Sequence, residues 1–132
     1  MSRRFRALKL WLSLRYHGFA AFRESIAGDI AHARHLAEAI KRQPQLEILS
    51  PVELSALCFR HKGPGGLTED ELSDFNLVLL KRVVERGRVY LSNASLRGKF
   101  ALRACIVNHR TKDSDIDSVI PEVLAAATEI LR

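Results

Sequence analysis

A chain of 132 residues, 47% hydrophobic and 27% charged, holds enough apolar mass to fold as one domain around a core, which excludes a disordered chain. The net charge of +6 is uneven, because Arg3, Arg4, Arg6, Lys9 and Arg15 precede the first acid, Glu24, and the rest is nearly balanced. A basic excess confined to one end is not the footprint of a nucleic-acid binder, and no apolar run approaches the ~20 residues of a membrane-spanning helix.

Residues 5 to 16 carry apolar side chains at 5, 7, 8, 10, 11, 12, 14 and 16. As a helix this segment is apolar on nearly every side, the pattern of a helix buried against other protein. It fits a secretory signal poorly, because Arg15 cuts the run LWLSL short of the ~7–15 apolar residues required. Gly18 ends it. A longer helix follows, with Phe19, Phe22, Ile26, Ile30, Ala33, Leu36 or Ala37, and Ile40 on one side, stopping ahead of Pro44.

Short strands are predicted over 46–49 and 54–62, where Leu57 and Phe59 alternate with Cys58 and Arg60. Gly63-Pro64-Gly65-Gly66 is a loop, and Thr68 with Glu71 reads as a capping box opening a helix over 69–86, ended by Gly87. Strands over 89–96 and 99–107 pair as a hairpin about Arg97-Gly98. In the second, Phe100, Leu102 and Ile106 face one way, and Ala101, Arg103, Cys105 and Val107 the other. A last helix spans 114–131, with Pro121 either kinking it or marking its first turn. The class is α+β: a small, mostly antiparallel sheet covered by helices over 18–132, preceded by a docking helix over 1–17.

Candidate chemistry is sparse. His32 and His35, one turn apart, are a surface pair or two ligands lacking a third. Gly63, Gly65 and Gly66 form a plain turn, since neither phosphate-loop pattern is present. Cys58 and Cys105 lie in apolar segments without a CxxC partner and read as buried thiols of a reducing cytosol. His109 and Arg110 stand at a strand end, where functional groups often sit. Arg103, midway along an apolar strand, needs a carboxylate or carbonyls, either in a structural ion pair or from a substrate or partner. No Ser/His/Asp set or pair of catalytic carboxylates emerges, and the residues alone leave open a stand-alone interaction or regulatory module.

The stretches SRRFRALKLWLSLRYHGFAAFRESI, LEILSPVELSALCFRHKG and FALRACIVNHRT, with an acidic helix after them, resemble the C-terminal domain of the group II pyridoxal-phosphate-dependent amino-acid decarboxylases, end to end. The resemblance implies a lyase of aromatic L-amino acids, cytoplasmic and homodimeric. Its large cofactor domain, with the Schiff-base lysine and the aspartate pairing the pyridine nitrogen, would lie outside this chain. None of Lys9, Lys41, Lys62, Lys81, Lys99 and Lys112 matches that lysine motif, so this portion alone is expected to be inactive, with no catalytic, cofactor-binding or metal residue of its own. Residues 3–17 would pass from the large domain into the small one and pack in the dimer. Ser2 and Arg3 would border the substrate pocket, Ser2 leaning towards phenolic over indolic rings, and Arg103 would organise the site side of the domain.

Overall fold

The computed structural model describes residues 5–132. The elements run α1 (Arg6–His17), α2 (Phe19–Lys41), β1 (Leu46–Ile48), β2 (Ala56–His61), α3 (Glu69–Glu85), β3 (Ser92–Leu96), β4 (Lys99–Cys105) and α4 (Asp113–Ile130). This is the predicted order. The strands come out shorter than their apolar runs at both hairpin arms and at β2.

Local signals account for most boundaries. The Gly18 N–H still bonds the Leu14 carbonyl at 3.0 Å, and the chain then turns at φ 81. Thr68 and Glu71 form the reciprocal capping box that opens α3. Arg97 and Gly98 both take positive φ, 52 and 79, the signature of a two-residue turn whose twist matches the flanking strands. Pro121 sits inside α4 and not at its first turn. The helix starts earlier because the Lys112 N–H is taken by the Asp115 carboxylate at 3.0 Å. Pro121 is exposed, where water can satisfy the carbonyl its ring leaves unbonded.

The four strands form one antiparallel sheet in the order β1-β2-β4-β3. One face meets the helices. Leu36 and Ile40 of α2, Leu57 and Phe59 of β2, Leu79 and Val83 of α3, Leu102 of β4 and Val123 of α4 close together as the core. The first half of α2 does not share in it. Ala33 is its first buried residue, while Phe19 and Ile26 remain exposed, so the expected stripe is buried over its second half only. α2 is clasped to α4 by His32 Nε2 on Asp113 at 3.1 Å and His35 Nε2 on Asp117 at 2.7 Å.

α3 also finishes what the sheet leaves open. β2 and β4 pair as far as Phe59↔Leu102. Two residues on, the His61 N–H and C=O would be buried without partners. Asn76, wholly buried on α3, accepts from the His61 N–H at 2.9 Å and donates to the His61 carbonyl at 2.9 Å, extending the ladder with a side chain. Ser73, one turn earlier, accepts from the Phe100 N–H at 3.4 Å on the β4 side.

Candidate functional site

The apolar periphery of α1 has no cover. None of its residues is buried. Leu8, Leu10, Leu12 and Phe5 are exposed, with Trp11 57% and Tyr16 85% accessible. This matches a helix patterned to be enclosed by protein and carries the surface on past Gly18 to Phe19 and Ile26 of α2. The Arg15 guanidinium lies over the Trp11 ring at 5.7 Å. Among the described residues Arg6, Lys9 and Arg15 pair with no carboxylate.

Where α1 meets α2, a cleft of about 410 Å³ is lined by His17, Ala21, Phe22, Ser25, Val107 and His109. His109, which stood alone in the sequence, therefore shares a cleft with a second histidine from a distant segment. The neighbouring sheet face, opposite the helices, is open. Arg103 stands there exposed, contrary to the expectation of a guanidinium within an apolar strand that needs a carboxylate or carbonyls. No helix layer covers that face, so water solvates the guanidinium. Its Nε donates to Ser92 Oγ at 3.0 Å, and Ser92 Oγ donates to the Arg103 carbonyl at 3.4 Å. The side chain is thus held at Nε, and among the described residues no carboxylate pairs with the exposed guanidinium.

Both cysteines also lie on this face. Cys58 is opposite Arg103, and Cys105 is opposite Ala56. Cys58 is half-buried and Cys105 exposed, so neither is the fully enclosed thiol expected. The same missing layer explains both corrections. Burial raises the Cys58 thiol above its ordinary pKa, against the opposing pull of the Arg103 charge.

The buried arginine is Arg60. It lies on the same sheet face but is enclosed, its side chain 5% accessible, between Glu47, paired with it across β1–β2 and bonded at 2.6 Å, and Glu69 in the first turn of α3. Burial alone would disfavour its charge, but the hydrogen bonds it donates to Glu69 and Glu47 prevail and hold its pKa above the usual value. Sequence reasoning overlooked this residue, although a glutamate in each adjoining element was a usable sign. His32 and His35 each bond a separate aspartate, and no group of three or more metal-ligating side chains occurs among the described residues. Gly63 and Gly66 take positive φ in a turn leading into the capped α3. Ser2 and Arg3 lie outside the described residues.

These residues do not fit a pyridoxal-phosphate site. A Schiff-base lysine needs a desolvated amine. All six lysines are exposed, Lys41 bonds Glu38, and Lys62 donates to the Pro44 carbonyl. What the arrangement offers is a contact surface, made of α1, the overhang of α2 and the Arg103 face of the sheet.

Residues 1–62 match the family model described as the pyridoxal-dependent decarboxylase conserved domain. The chain is 32% identical over 130 residues to aromatic-L-amino-acid decarboxylase of Bacillus atrophaeus, covering 98% of this chain and 27% of that protein. It is 38% identical over 109 residues to tyrosine decarboxylase 4 of Petroselinum crispum, covering 80% of this chain and 22% of that one. In fold it is similar to Oryza sativa TDC solved with PLP and tryptamine, at a TM-score of 0.88 and 27% identity over 98% of this chain and 28% of that one. The chain spans about a quarter of the length of the relatives it matches. No helix among the described residues is long and apolar enough to cross a membrane.

Proposed function

We propose that this chain, a domain of the group II pyridoxal-phosphate-decarboxylase type, works as the C-terminal portion of a decarboxylase of aromatic L-amino acids. In this reading a large domain supplies the cofactor, which acts as the electron sink when the α-carboxylate departs as CO2. This chain supplies the docking helix and one wall of the site. The observation that carries the reading is α1, a helix apolar nearly all round with no buried residue, at the start of a domain whose relatives are about four times longer.

The large domain and a second subunit are the proposed covers of α1, and Arg103 the residue that meets a carboxylate at their junction. Ser2 and Arg3 would lie at the substrate side of the same junction. A cytoplasmic setting accords with two unpaired thiols, one of them exposed.

The test begins with the coding DNA ahead of Met1. An in-frame His-Lys motif with an aspartate upstream supports the reading. A stop codon and ribosome-binding site directly before Met1 replace it with a stand-alone interaction module. With the upstream segment included, CO2 release from L-tyrosine and L-tryptophan is the activity to measure. Arg103→Ala should lower kcat/KM about 10- to 100-fold, the worth of a charge-assisted hydrogen bond, while leaving thermal stability unchanged.

A further inference from the structure

Helices of 12 and 23 residues meet at Gly18 with no other residue between them. Gly18 stands at φ 81 and ψ 154, a region that residues with a Cβ scarcely enter. A Cβ placed there would meet nothing within 4 Å. The glycine is therefore required by backbone conformation and not by space. The helix on its N-terminal side is held by little else. α1 buries no residue, and its contacts across the joint include an edge-on pair of His17 with Phe22, ring centroids 6.2 Å apart.

We propose that Gly18 is an angle-setting joint, fixing the direction in which α1 leaves the body and so which of its sides a partner meets. The docking consequence rests on the reading above, whereas the angle is a property of this chain alone. The joint differs from an ordinary helix-ending glycine. In the left-handed cap ψ lies near +47°, and asparagine is a fair substitute. At ψ 154 asparagine has no such advantage.

Trp11 is the chain's single tryptophan and rides on α1, while Cys105 is exposed on the body. In a Cys58→Ala background, a dansyl acceptor on Cys105 and time-resolved energy transfer from Trp11 report the distribution of their separation. A trace of labelled chain in excess unlabelled Trp11→Phe chain keeps the transfer intramolecular. The unsubstituted joint should give one narrow distribution. Gly18→Ala and Gly18→Asn should both shift or widen it, with far-UV dichroism retained. Gly28→Ala, at a glycine inside α2 without positive φ and with open space around its Cβ, should leave it unchanged. An unaltered distribution in both Gly18 variants, recovery by asparagine alone, or a broad distribution with Gly18 in place would each overturn the proposal. Neither the large domain nor a cofactor or substrate enters the measurement, so failure of the decarboxylase reading would not disturb it. Repeating it at sedimentation-checked dilution, where the chain is monomeric, must give the same distribution.

Discussion

Replacing Asn76 by alanine removes the side chain that closes the gap between β2 and β4. Its amide makes three hydrogen bonds, to the His61 N–H and carbonyl at 2.9 Å each and to the Leu72 carbonyl at 2.8 Å, from a position with no solvent access. The Leu72 bond is the least consequential, since that carbonyl belongs to the helix's own ladder. The His61 groups have no second partner, and each left unsatisfied in the interior costs about 1–3 kcal/mol. We therefore expect Asn76→Ala to lose about 3 kcal/mol, a large share of the ~5–15 kcal/mol typical of a domain. Asn76→Asp should be worse at neutral pH, because it keeps the acceptor for the His61 N–H but loses both donations and buries a charge. Urea unfolding followed by far-UV circular dichroism measures this as a drop in midpoint at constant slope. A loss below about 1 kcal/mol for Asn76→Ala would show that water or a small shift of α3 satisfies His61, and that the side-chain ladder is incidental.

Thr68→Ala should cost about 1 kcal/mol through loss of the α3 cap, read from the same urea midpoint. Stability should fall on acidification in two stages. Burial lowers the His61 pKa below its ordinary 6.5, so the unfolded chain takes up the proton first and stability declines as pH drops below about 6.5. The Arg60 hydrogen bond holds the Glu69 carboxyl below 4.5, so that contribution, intact above this value, disappears as pH falls through the lowered pKa. His61→Gln should abolish the first stage and leave the second, checked by midpoints at pH 7.5, 5.5 and 3.5. Leu10→Lys combined with Trp11→Lys on the exposed surface of α1 should convert a self-associating chain into a monomer in sedimentation velocity, with the body's unfolding midpoint unchanged.

Much of this molecule is local and was therefore legible in its sequence. The break at Gly18, the Thr68–Glu71 capping box, the Arg97-Gly98 turn and the order of eight elements depend on residues a few positions apart. The all-round apolarity of α1 likewise announced a surface to be covered. Asn76 left a weaker trace, a polar residue set in the apolar stripe of Leu72, Leu79 and Val83, but its partner at His61 is 15 positions away. Alternation along β4 separated Leu102 from Arg103, yet period two names two faces without saying which one a layer covers. That the helices lie on one face was expected, but only the tertiary structure decided which face they cover, leaving Arg103 and Cys105 in the open and Cys58 partly so. The same layout enclosed Arg60, because Glu47 and Glu69 arrive beside it from two other elements. Burial is a property of what comes near in space, and a residue's own neighbours in the chain do not contain it.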